Sequence, residues 1–153
     1  MKRYADSHDE YAELIRRHLT VLGELLSRDG ADEERDLLAL TASWSGGSAP
    51  APRSAGLSGA LPSSILTDDS LPGGETWTHL WVSVTRLRSR ELSRLLRLVA
   101  DDRTAGVIIT TAEMSWLYHP YDGGADVIAT TAGQRDQLRC AHTDWLSAHP
   151  AGL

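Results

Sequence analysis

Residues 116–129 read Trp116-Leu117-Tyr118-His119-Pro120-Tyr121-Asp122-Gly123-Gly124-Ala125-Asp126-Val127-Ile128-Ala129, and this stretch constrains the fold more tightly than any other in the chain. Asp122-Gly123-Gly124 is the strongest turn signal present, because glycine accepts the positive φ angles of tight hairpin turns. The flanking runs, 116–121 and 125–129, are rich in β-branched and aromatic residues, which predicts two strands joined as a hairpin. Pro120 cannot donate a ladder hydrogen bond, so the first strand is expected to lie at an edge or to break its pairing there.

Outward from the hairpin, residues 106–111 carry a further β-branched run, expected as a strand. Before it, Leu92, Leu95, Leu96 and Val99 mark one side of a helix over 89–100, with Arg90, Arg94 and Arg97 on its outer side. Residues 78–86 alternate: Leu80, Val82 and Val84 on one face, His79, Trp81, Ser83 and Thr85 on the other. Residues 37–44 do the same, with Leu38, Leu40, Ala42 and Trp44 set against Ala39, Thr41 and Ser43. Tyr11, Leu14, Ile15, His18, Leu22 and Leu25 recur at helical spacing, which predicts an amphipathic helix over 9–28 ending near Gly30. Past the hairpin, Thr131 and Gln134 stand at capping-box spacing and open a last helix, with Leu138, Ala141, Trp145 and Leu146 as its expected buried stripe.

Residues 45–74 differ in kind, being dominated by Gly, Ser, Ala and Pro with isolated aliphatics at Leu57, Leu61, Ile65 and Leu66. They read as a flexible insertion or as a segment that closes over a site, with room for a short helix at 63–67. The element order is then α-β-loop-β-α-β-β-β-α. It suits a single α+β domain over 1–153: an antiparallel or mixed sheet of about five strands with helices packed on one face.

The chain has 153 residues, 41% of them hydrophobic and 24% charged, which fits one globular core. Its aromatics are five Trp and four Tyr with no Phe, so each carries an N–H or O–H that needs a partner if buried. A formal charge of −6 exerts no general pull on nucleic acid or an anionic membrane. That charge is uneven, with basic residues at Arg86, Arg88, Arg90, Arg94, Arg97 and Arg103 and an acidic run at Asp29, Asp32, Glu33, Glu34 and Asp36. The single Cys140 admits no intrachain disulfide and agrees with a reducing compartment. The first ten residues are polar and no apolar run approaches the length of a span, so a cytoplasmic location is expected.

His119, Tyr121, Asp122 and Asp126 form the candidate functional cluster. Residues two apart on a strand share a face, so His119 and Tyr121 project together, with Asp126 across the turn. Imidazole and carboxylate there could hold a metal or exchange protons. Equally, Asp122 beside two glycines is an ordinary turn former, and Asp126 can bond the turn backbone. Arg90, Arg94 and Arg97 form either a solvated helix face or a contact for an anion or an acidic partner. His142 and His149 share one side of the last helix, but an exposed pair there reads more simply as helix surface than as a metal site. Cys140 reads as a semi-buried thiol. No P-loop, dinucleotide glycine pattern, nucleophile elbow or zinc-helix motif occurs, and no cofactor or metal is expected.

From Trp77 onward the chain resembles the bacterial family known as "domain of unknown function 3885". The resemblance is carried by His119, Tyr121, Asp122, Gly124, Asp126, Ile128 and Ala129, and by the late pair Asp144-Trp145. It covers about half of the chain. The turn departs from the family pattern by lacking an Arg after the aspartate and by being one residue shorter, which weakens any anion-binding role for the turn. The resemblance supports the fold and implies no activity.

Two functions are therefore expected to compete. One is a non-catalytic interaction protein of immunity or regulatory type, whose partner is another protein. It is motivated by small size, acidity, the absence of catalytic motifs and the Trp and Tyr anchors favoured at interfaces. The other is a small hydrolase or metal-binding domain sited on the His119–Asp126 hairpin, with 45–74 as its lid. Nucleic-acid contact through the arginine helix is weaker than either.

Overall fold

The computed structural model describes residues 5, 7–45, 59–68 and 76–146. Helix α1 spans His8–Arg28, and strand β1 follows at Leu37–Ser45. Strands β2 (Leu61–Asp68) and β3 (Thr76–Thr85) precede helix α2 (Arg90–Ala100). Strands β4 (Ile108–Thr110), β5 (Leu117–Tyr121) and β6 (Gly124–Ile128) precede helix α3 (Ala132–Ala141) and a 3-10 turn at Thr143–Trp145. The six strands form one sheet in the order β2-β3-β1-β4-β5-β6, and every neighbouring pair is antiparallel. The α+β class and the helix-covered sheet stand as expected, with one more strand.

Local chemistry explains where the helices start. Ser7 accepts from the Glu10 amide at 3.2 Å while the Glu10 carboxylate accepts from the Ser7 amide at 3.0 Å, a reciprocal capping box. Ser89 caps α2 by accepting from the Leu92 amide, and Thr131 caps α3 by accepting from the Gln134 amide. α1 then buries His18, Leu22, Leu25 and Leu26, and α2 buries Leu92, Leu95, Leu96 and Val99. These side chains meet Leu37, Ala39, Ile109 and Tyr118 of the sheet in one core. Each fully buried leucine contributes about 1.5–3 kcal/mol of transfer free energy.

The segment between β1 and β3 departs from the expected loop or short helix. Leu61–Asp68 is a strand whose register runs along β3, from Leu61 opposite Val82 to Asp68 opposite Thr76. Ladder bonding to β3 organises it, and residues 61–67 are all exposed, so no apolar periodicity announced it. The rest of the expected flexible insertion, 46–58 and 69–75, lies outside the described residues. β5 is not an edge strand, because β6 takes that place. Pro120 is tolerated because the β4 register meets β5 only at Tyr118, leaving Pro120 beyond it with Ala125 of β6 as its partner. At the last helix only Leu138 is buried, and Cys140, Ala141 and Leu146 are exposed. Gly106, at φ 65°, is a required glycine: a Cβ there would fall 3.0 Å from the Ala42 Cβ.

The register divides the sheet into two faces. Leu37, Ala39 and Thr41 of β1 stand opposite Thr85, Ser83 and Trp81 of β3, and Ala39 stands opposite Ile109, which stands opposite Tyr118. This is the face on which the helices pack. The other face carries Leu38 and Leu40 of β1 opposite Val84 and Val82 of β3, and Leu40 opposite Ile108. Antiparallel sheets covered on one side normally turn their apolar residues inward and their polar ones to water. β3 departs from this: His79, Ser83 and Thr85 are buried beside Trp81 on the helix side, while on the open side Leu80 and Val82 are half-buried and Val84 is exposed.

Candidate functional site

The hairpin strands place their residues alternately on the two faces. Tyr118, Pro120, Ala125 and Val127 turn toward the helices, and Leu117, His119, Tyr121, Asp126 and Ile128 turn toward the open face. His119 stands directly opposite Asp126, with 3.9 Å between Nδ1 and Oδ2, and both side chains are well exposed. The His119 and Tyr121 rings lie 6.2 Å apart at 50°. The structure therefore brings His119, Tyr121 and Asp126 together, and Asp122 remains in the turn between the strands. A carboxylate 3.9 Å from an exposed imidazole is a loose contact, and an ion pair only while the imidazole carries a proton. Among the described residues, no group of three or more His, Cys, Asp or Glu side chains is placed to hold a metal ion.

The arginine and acidic runs largely answer one another. Arg86 pairs with Asp36 at 3.1 Å and with Glu34 at 3.7 Å, Arg88 pairs with Glu33, and Arg35 pairs with Glu113. Hydrogen bonding to Arg88 holds the Glu33 carboxyl below the usual carboxylate range, and Arg86 and Arg88 are themselves raised by their acidic partners. Asp29 accepts from the Trp116 indole N–H at 2.9 Å and from the Ser115 hydroxyl, fixing the start of the hairpin to the end of α1. Of the three candidate arginines, Arg97 lies over the Tyr11 ring at 4.5 Å, while Arg90 and Arg94 are exposed. Arg97 is exposed as well, and the three stand about one helical turn apart along α2.

Three polar pairs, one of them fully buried, have structural work. His18 Nδ1 lies 2.5 Å from the Tyr118 hydroxyl, tying α1 to β5. Burial lowers His18 to about 4 and raises the Tyr118 phenol, so both groups stay neutral at pH 7. On β3, His79 Nε2 lies 2.7 Å from Ser45 Oγ, and the Trp81 indole donates to Ser43 Oγ at 2.9 Å. Ser83 Oγ is buried with no hydrogen-bond partner among the described residues. His142, one of the two expected helix histidines, bonds Glu24 at 3.0 Å and stacks on Trp145 at 4.3 Å, and His149 lies outside the described residues.

A groove of about 730 Å³ runs along α1, floored by Ile15, Leu19 and Leu87 and bordered by Arg16, Arg88 and Arg97. Two of those cations already have carboxylate partners, Glu13 and Glu33, so the border presents no concentrated charge to a ligand.

The largest uncommitted feature is the open face. Leu61 is 68%, Leu66 53%, Val84 63% and Ile128 64% exposed, and Leu38, Leu40, Leu80, Val82, Ile108 and Leu117 lie between them, half-buried. Pairing makes this a largely apolar field from β2 across β3, β1 and β4 to the hairpin, with Ser64, Thr78 and Thr110 set within it. Among the described residues, His119 and Asp126 stand on this face near the β6 edge, and Asp68, opposite Thr76, stands on it at the β2 edge. Sequence reasoning identified the hairpin cluster and missed the field beside it. The signal was the β3 alternation, in which the polar set His79, Ser83 and Thr85 needed as much explanation as the aliphatic one.

The sequence model of the family described as "Domain of unknown function (DUF3885)" matches residues 1–150. The chain belongs to that family, and the match extends over its N-terminal half as well as the part from Trp77 onward. No curated protein and no solved structure matches the chain. Among the described residues, no helix is long and apolar enough to cross a membrane.

Proposed function

We propose that the chain is a non-catalytic protein-interaction domain of regulatory or immunity type, and that it docks through the open face of its sheet. The single observation that carries this is the outward set on β3: Leu80, Val82 and Val84 face away from the helices, while His79, Ser83 and Thr85 join the buried Trp81 on the helix side. Water-facing aliphatics in a largely apolar field are costly in a solitary domain and are the ordinary composition of a binding surface. Trp44, half exposed at the end of β1, adds an aromatic anchor of the kind that dominates interface energetics. His119 and Asp126 stand at the border of the field, where a polar rim gives orientation.

The test is site-specific photo-cross-linking in cells. A photoreactive side chain at Val84 is expected to yield discrete protein adducts, and the same group at Arg94, on the helix side, is expected to yield none. Equal labelling from both positions, or no adduct from Val84, would overturn the proposal.

A further inference from the structure

We infer that the partner seated on the open face is a second copy of this chain, so that two sheets pack face to face into a sandwich. This deepens the docking role proposed above and depends on it. Three observations converge on a copy of the same chain.

The first is the chemistry of the field. Leu38, Leu40, Leu80, Val82 and Ile108 hold its centre, and no Lys, Arg or Glu stands among them. A partner chosen by charge would find nothing to read there, whereas an apolar face is complementary to itself. The second is size. Six strands at about 4.8 Å spacing and roughly 17 Å of strand length make a footprint on the order of 500 Å² per copy. Two copies together then reach roughly 1,000 Å², where specific interfaces begin.

The third is the placement of the pair His119 and Asp126. The midline of the strand order lies between β1 and β4. A two-fold axis along the strands at that midline sets β3 of one copy over β5 of the other, and β2 over β6. By the register Leu40 then faces Ile108 and Val84 faces Leu117, while Leu61 comes opposite Asp126 at the rim. The two Asp126 carboxylates fall at opposite edges and do not meet each other. Sheets packed in this way keep their strand directions within about 30° and interdigitate across roughly 10 Å. The outward Leu80, Val82 and Val84 would then be core residues of the pair, which accounts for a strand apolar on the side that a single copy leaves open.

Sedimentation velocity on the purified full chain tests this. The 16.7 kDa chain is expected to sediment at twice its mass at micromolar concentration. Val84→Asp, at an exposed position, is expected to weaken self-association at least tenfold and yield monomer with an unchanged circular-dichroism spectrum. If Val84→Asp fails to fold, Leu66→Ser on β2 serves the same purpose and is expected to weaken the dimer in the same direction. A wild-type chain that stays monomeric throughout, or a dimer that survives a folded variant, overturns the inference. A monomer that still gives Val84 adducts with a different protein would overturn the self-association alone and leave the docking role standing. A monomer with no such adducts would remove both.

Discussion

Tyr118 and His119 are neighbours on β5, yet they belong to different regimes. Tyr118 turns to the helix side, is buried, and closes a hydrogen bond to His18 of α1. His119 turns to the open side and keeps only a loose pairing with Asp126. The same contrast runs along the whole sheet, with a sealed face that holds the fold together and an open one that a single copy does not use. Because a strand alternates every residue, one backbone supplies both surfaces, and substitutions one position apart should have unlike consequences.

The sharpest way to break that contrast is a cavity on the sealed side. Leu95 is fully buried in the core shared by α1, α2 and the sheet. Leu95→Ala is expected to cost about 2–5 kcal/mol in urea unfolding, a large share of the stability of a domain this size. A cost under about 1 kcal/mol would mean that the helix layer is not the main source of stability.

A somewhat smaller effect should come from pH. His18 takes a proton near 6.5 when unfolded but only near 4 inside the fold, because burial penalises the cation. Above pH 6.5 both states are neutral at this site and folding bears no penalty. As pH falls from 6.5 toward 4 the unfolded chain binds the proton first, so stability declines, by up to about 3 kcal/mol. Urea unfolding at pH 7 and pH 4.5 should show this decline, reduced in His18→Gln. An equal decline in both proteins would remove His18 as its source.

Much of the fold was legible in sequence because the relevant signals were local. The Asp122-Gly123-Gly124 turn, the Thr131 capping position and the leucine stripe of α2 each act within a few residues. β2 was hidden because its order comes from pairing with β3, and its own Leu61, Ile65 and Leu66 remain exposed. The hairpin cluster was legible as a neighbourhood, since strand alternation alone brings His119, Tyr121 and Asp126 to one face. What alternation cannot tell is which face the helices cover. Leu80, Val82 and Val84 are equally periodic whether they point into a core or out of it, and only the register of β1 with β3 and β4 decides. The answering of Arg86 and Arg88 by Asp36 and Glu33 was invisible for the same reason, since about fifty residues separate the partners.

The central claim is that the two faces divide the labour, stability on one and association on the other. One measurement addresses both sides at once: Leu66→Ser, Val84→Thr and Ile128→Thr combined in a single chain, followed by urea unfolding and sedimentation side by side. The account predicts that the unfolding free energy of the monomer stays within about 1 kcal/mol of wild type, as exposed positions allow, while association is lost. A loss of more than about 3 kcal/mol with association intact would contradict it, and would place the open-face aliphatics in the service of the fold.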